Sequence, residues 1–141
     1  MNKLDQVIAT VLAHPFHQAC ELTLTHCADG VAEVAFPVNG FTGNPQGALH
    51  GGILYALMDV ASFLSVSSRL APEQHAVSID VHTSVLRAAR PGETVRITSR
   101  VDRVGRSLAA MRCEATATSA DGQTRLIATG SVTKSIIREP G

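Results

Sequence analysis

A chain of 141 residues is sized for a single domain over 1–141 and can bury a real core. Forty-five per cent of the residues are hydrophobic and only four per cent aromatic, with no Trp, which fits a compact sheet around one buried helix. Twelve basic and twelve acidic residues leave a formal charge of zero, which excludes a general field for nucleic acid or an anionic membrane and makes any anion site local.

Residues 3–13 carry Leu4, Val7, Ile8, Val11 and Leu12 at helical spacing, and Pro15 ends the pattern, so a short amphipathic N-terminal helix is predicted. Cys20, Leu22 and Leu24 alternate with polar residues, as do Ala32, Val34, Phe36 and Val38, and Asp29-Gly30 between them reads as the turn of a hairpin. Residues 39–49 hold Gly40, Gly43, Pro45 and Gly47 without periodicity, a loop of the kind that carries function. A long helix then starts near Gly51, and residues 69–74, with Pro72, form a connection. Val77, Ile79, Val81, Thr83 and Val85 alternate with Ser78, Asp80, His82 and Ser84 as a long strand, and Val95, Ile97, Ser99 and Val101 make the next. Gly105 turns the chain into 107–118, and Asp121-Gly122 turns it into 124–134. The predicted order is helix, two strands, long helix, four strands: an α+β chain whose curved antiparallel sheet wraps the long central helix.

Cys20, Cys27 and Cys113 are odd in number and lack metal-ligand or redox spacing, which fits a reducing cytoplasm rather than a disulfide framework. None of the six histidines sits in a metal motif: His14 and His17 flank Pro15, and His75 and His82 lie in or beside a strand. No metal and no cofactor are expected. The first thirteen residues are too polar and too short in their apolar run for a membrane span, and Asp5 and Gln6 argue against secretion.

The most informative segment is His50-Gly51-Gly52 followed by Asp59. Between His50 and Arg69 this run holds one carboxylate and no cation, so nothing within it could pair with Asp59. A buried, unpaired acid is costly, and function is one reason to keep it. Ile53, Leu57, Ala61 and Leu64 form one apolar stripe and Leu54, Met58 and Ala61 another. Only the thin face of Tyr55, Asp59, Ser62 and Ser65/Ser67 is less apolar, so the helix is expected to be covered nearly all round. The two glycines allow a tight bend and close approach, and the first helical turn offers unpaired N–H groups at the positive end of the helix dipole to an oxygen gaining charge. Along one helix Asp59 lies roughly 12 Å from Gly51, too far to share a small substrate atom. A second copy of the chain, set antiparallel, could bring them together, which predicts an active site that needs a dimer.

The string Gly43-Asn44-Pro45-Gln46-Gly47-Ala48-Leu49-His50-Gly51-Gly52, then Leu57-Met58-Asp59, resembles the hotdog-fold acyl-CoA thioesterases of the phenylacetic-acid-degradation type. Their pattern is Asn, a short gap, Gly-x-x-His-Gly-Gly, then Leu-x-Asp in the central helix. Val77-Ser78-Ile79-Asp80-Val81 with Leu86-Arg87 and Pro91-Gly92-Glu93 is similar to the family's third strand and its turn. Val104 to Ala109, Asp121-Gly122 and Ala128-Thr129-Gly130 are similar to its last hairpins, so the likeness covers residues 19–135. The resemblance implies the hotdog fold and hydrolysis of a thioester to free acid and CoA. It implies that Asp59 is the catalytic carboxylate, a general base on water or a nucleophile, with the base preferred. It also implies that the Gly51 N–H polarises the thioester oxygen, that Asn44 places the carbonyl or the water, and that Ser78 sits near the water. His50 is read as a brace for the loop. A homodimer whose sheets join edge to edge, often paired again into a homotetramer, is implied as well.

Coenzyme A would enter as part of the acyl-CoA substrate, its pantetheine arm threading a subunit boundary. Arg87, Arg90 and Arg106, which lie nearest turns, are the candidate phosphate contacts among five arginines that also suit a solvated strand face. Phe41, Tyr55 and Phe63 are placed near a pocket that suits aromatic or medium aliphatic acyl groups. No Gly-x-Ser-x-Gly elbow occurs, which sets aside a serine hydrolase. Two alternatives remain: a non-catalytic acyl-CoA-binding module, and a hotdog-type enoyl-CoA hydratase, whose Asp, Asn-Pro and His pattern is matched only in part because no Asp precedes Asn44 and Asp59 lies within the helix.

Overall fold

A computed structural model describes residues 1–139. Helix α1 spans Lys3–Ala13, and the Asn2 side chain caps it by accepting from the Asp5 N–H at 2.8 Å. Pro15 ends this helix as expected, because the residue before a proline is driven out of the helical region and His14 is extended. Pro15 then stands at the start of a second short helix, α2 (Pro15–Ala19), a role for proline that the sequence reading did not give it. The expectation of a strand at Cys20 and Leu22 is corrected too. The Cys20 N–H bonds back to the Phe16 carbonyl, Glu21 takes φ 57°, and β1 begins only at Thr23.

Strand β1 (Thr23–Ala28) turns through Asp29 and Gly30 into β2 (Val31–Pro37). Both turn residues have positive φ, 54° and 79°, which Asp tolerates and Gly adopts freely, and which suits a two-residue hairpin. Helix α3 spans Gly51–Ser67 and is followed by β3 (Gln74–Val85), β4 (Thr94–Val104), β5 (Leu108–Thr118) and β6 (Thr124–Arg138). The six strands form one antiparallel sheet in the order β1-β2-β4-β5-β6-β3. This is the wrapped-helix architecture that the hotdog resemblance implies.

The sheet closes over α3. Leu57, Met58, Ala61, Leu64 and Val66 of the helix are fully buried among Val34, Val95, Ile97, Ala115 and Ile127 of the strands. The helix polar stripe is divided by this packing. Ser62 and Ser65 are buried against the sheet, while Tyr55 and Asp59 remain partly open in a single protomer. The expected coverage on all sides is therefore not completed by one chain.

Gly130 on β6 sets the closeness of the wrap. A Cβ there would lie 2.6 Å from the Met58 sulfur and 2.7 Å from the His82 carbonyl oxygen, which is backbone and cannot swing away. Gly130→Ala is expected to lose about 1–3 kcal/mol of stability, the usual cost of overpacking. Urea unfolding measures it, and an unchanged midpoint would show that β6 can move off the helix.

Candidate active site

The loop before α3 is built to start that helix at a fixed point. The Asn39 side chain accepts from the Phe41 and Thr42 N–H groups, and the buried Thr42 hydroxyl donates to the Pro37 carbonyl. The Asn44 oxygen accepts from the N–H groups of Gln46 and Ala48, both at 3.0 Å. That oxygen braces the loop, and among the described residues the Asn44 amide nitrogen donates to nothing. Gly43 and Leu49 close the loop as an isolated antiparallel bridge.

His50 is the N-cap of α3, and its Nδ1 accepts from the Gly52 N–H at 2.9 Å. The Ile53 and Leu54 N–H groups bond to the His50 carbonyl. Of the N–H groups that open the helix, that of Gly51 has no acceptor among the described residues. A Cβ on Gly51 would meet nothing within 4 Å. Neither positive φ nor packing within the protomer demands glycine here. Glycine leaves open space over a free donor at the positive helix end. The groove over it, about 460 Å³, is lined by Asn44, Leu49, Gly51, Leu54, Leu86 and Arg87.

Asp59 lies two turns further along α3. The acid is not unpaired: Lys134 of β6 places its Nζ 2.8 Å from Asp59 Oδ1, and the Ser78 hydroxyl of β3 donates to the same oxygen at 2.5 Å. Lys134 also donates to the Ser78 oxygen at 2.7 Å, so the three side chains form a closed ring of contacts. Lys134 is 2 % exposed and its ammonium lies 5.7 Å from the centre of the Phe63 ring, while the Asp59 side chain is 36 % exposed. The run between His50 and Arg69 offers Asp59 no cation, and this lysine lies 75 residues away in the sequence. A signal for it was present: Lys134 falls in phase with Val132 and Ile136, the inward face of β6.

The two clusters of polar groups stand apart in one protomer. Gly51, Asn44, His50 and Arg87 gather at the start of α3, and Asp59, Ser78 and Lys134 gather in its middle. Eight residues of continuous helix separate Gly51 from Asp59, about 12 Å. Arg90 is exposed near the Gly51 end. Arg106 is at the far end of β4, whose 11 residues span roughly 36 Å. It stands on the Lys134 side, where Ser107 accepts from the Ile136 N–H. Phe41 packs edge-on against Phe16 at 5.6 Å, and Tyr55 is 45 % exposed one turn before Asp59.

A third polar group is closed off. Ser62, Ser65, Ser99 and Cys113 hydrogen-bond together between α3 and the sheet, all at 2 % exposure or less. Burial pushes the Cys113 thiol up, which keeps it an inert thiol.

Comparison with known proteins bears on the family and the fold. The Thioesterase superfamily profile matches residues 46–122. A protein of Deinococcus radiodurans named as an esterase is 33 % identical over 102 residues, 72 % of this chain and 67 % of its own length. A thioesterase family protein of Silicibacter pomeroyi shares the fold at a TM-score of 0.88 and 24 % identity, over 96 % of each chain. A mutant form of a phenylacetic acid degradation protein of Thermus thermophilus superposes at a TM-score of 0.75 with 30 % identity, over 86 % of this chain and 98 % of that one.

The segment after β3 is clasped to the loop before α3. Arg125 grips Glu93 through both terminal guanidinium nitrogens at 2.6 and 2.7 Å and also donates to the Ala88 carbonyl. The Leu49 N–H then bonds to the Ala89 carbonyl at 2.8 Å, one residue before the His50 cap. The Arg125 hydrogen bonds, helped by the Arg90 N–H, hold the Glu93 carboxyl at about 2, below its ordinary 4.5. A depressed folded-state value gives stability that is present above 4.5 and lost as pH falls toward 2. Urea midpoints measured from pH 6 down to 2 are expected to show this loss in the wild type and a smaller one in Glu93→Gln. Parallel curves for the two proteins would deny the clasp its role.

Proposed function

The chain belongs to the thioesterase superfamily, and on that premise we propose that it hydrolyses acyl-CoA thioesters to a free acid and CoA at a site shared by two protomers. Asp59 of one protomer takes a proton from water, whose oxygen attacks the thioester carbon. The Gly51 N–H of the other receives the carbonyl oxygen as it gains charge. The carbon–sulfur bond then breaks, and the proton returns to the departing CoA thiolate. Asn44, through its unused amide nitrogen, steadies the carbonyl or the water, and His50 keeps the Gly51 donor in place.

The observation that carries this reading is a free helix-initial N–H under an open groove and a partly exposed carboxylate, held on one rigid helix too far apart to serve one substrate within a chain. The edge of the sheet supplies a reason for two chains to meet. Strand β3 is 12 residues long, lies at the sheet edge, and exposes Val77 and Ile79 by half or more, followed by Val85 and Leu86. It carries no lysine or proline to deter pairing, so it suits an isologous, edge-to-edge homodimer. Antiparallel pairing would set the Asp59 and Arg106 end of one protomer beside the Gly51, Asn44, Arg87 and Arg90 end of the other. The three arginines would then face the CoA phosphates from two sides of a subunit boundary. Pairing of two such dimers into a homotetramer belongs to the same reading, as does the phenylacetic-acid-degradation type of the family. No helix among the described residues is long and apolar enough to cross a membrane.

Thiol release from a panel of aromatic and aliphatic acyl-CoAs tests the function. The wild type is expected to release thiol, and Asp59→Asn is expected to be slower by about 10²- to 10⁴-fold. Binding without thiol release from any member would favour a binding module, and water addition to an enoyl-CoA without thiol would favour a hydratase. Full activity in Asp59→Asn would remove the carboxylate from the mechanism.

A further inference from the structure

We propose that Lys134 and Ser78 are positioning residues that hold Oδ1 of Asp59 and so present Oδ2 as the atom that reacts. This rests on the reading of Asp59 as the thioesterase carboxylate. The geometry around the two oxygens is unequal. Oδ1 receives both the Lys134 ammonium and the Ser78 hydroxyl, whereas Oδ2 receives no hydrogen bond among the described residues. The final torsion of an aspartate is broad, so an untethered carboxylate would turn freely and either oxygen could face the substrate. Two donors on one oxygen stop that rotation.

The clamp is itself fixed by the sheet. Ser78 and Lys134 are register partners on β3 and β6, and the irregularity in that ladder falls immediately after Ser78, before Asp80. Such bulges re-aim side chains and are common beside active sites. Two of the ammonium protons go to Asp59 and Ser78, and the ammonium lies 5.7 Å from the centre of the Phe63 ring. The Ser78 oxygen accepts from Lys134, which turns its own proton toward Asp59.

A purely structural ion pair is the competing account. Apolar residues often replace a buried pair without loss of stability, so stability alone is weak ground for keeping a lysine at 2 % exposure. The two accounts differ in what they do to turnover.

The test measures kcat and KM on the fastest acyl-CoA of the panel, with circular dichroism to confirm folding. Lys134→Met is expected to lower kcat on the order of 10²-fold, the cost of misplacing a reacting group, while KM stays near that of the wild type. Propylammonium, which replaces the atoms lost in Lys134→Ala, is expected to restore kcat of that variant in a saturable way. Ser78→Ala, at an exposed strand position, keeps the ion pair and is expected to lower kcat by a smaller factor. It decides the matter if the lysine variants do not fold. In an Asp59→Asn background, Lys134→Met is expected to cost no further rate, because the group it positions is already disabled. Folded Lys134→Met with wild-type kcat, losses confined to KM, or an unaltered kcat in Ser78→Ala would each overturn the proposal and leave the thioesterase reading standing. Absence of thiol release by the wild type would overturn both.

Discussion

The rise of an α-helix governs how the proposed site can work. Gly51 and Asp59 are on one unbroken helix, and about 1.5 Å per residue places them some 12 Å apart. Neither can move toward the other, because α3 is buried along most of its length by the sheet that wraps it. In the proposed mechanism a free donor at one end and a carboxylate in the middle therefore form two half-sites. Each half-site is complete in its local bracing, and each lacks the other's chemistry.

That bracing is costly enough to need explaining. At the donor end, Asn39, Thr42, Asn44 and His50 spend their side chains on backbone groups of the loop, leaving the Gly51 N–H free. The Arg125–Glu93 clasp ties the neighbouring segment to the same loop through Ala89 and Leu49. At the carboxylate end, an almost fully buried lysine is accepted inside the sheet, where an ammonium is expensive unless paired. Both arrangements fix the direction of one small polar group, which is what catalysis by preorganised dipoles and charges requires.

Much of this was legible in the sequence. The period of the apolar residues placed α1 and the strands, Asp29-Gly30 and Asp121-Gly122 placed two turns, and α3 begins at Gly51 as the glycine pair indicated. The misses have local causes. Pro15 signals the stop of α1, but proline also suits the first turn of a helix, and α2 begins there. Cys20 and Leu22 alternate like a strand but are held by the end of α2 and the positive φ of Glu21. Strand β6 runs on to Arg138, because nothing at Lys134 interrupts its alternation. Ser62 and Ser65 shared a polar stripe with Asp59 in projection, yet they bond to Ser99 and Cys113 inside the core. The alternation of β6 turns Lys134 inward, but its pairing with Asp59 is beyond local reading, since only the β3–β6 register brings Lys134 and Ser78 to the acid.

A site divided between protomers has a property that a site within one chain cannot have: two defective chains can complement each other. Gly51→Pro removes the N–H at a first-turn position where proline is tolerated, and His50 before it is already extended, with φ −70° and ψ 129°. Paired with Asp59→Asn in one dimer, it leaves one site with both defects and one with neither. Each variant alone should be nearly inactive, and an equal mixture that exchanges subunits freely should recover about a quarter of wild-type thiol release, given a twofold dimer. Confirmed mixed dimers with no activity above that of either variant alone would contradict the shared site.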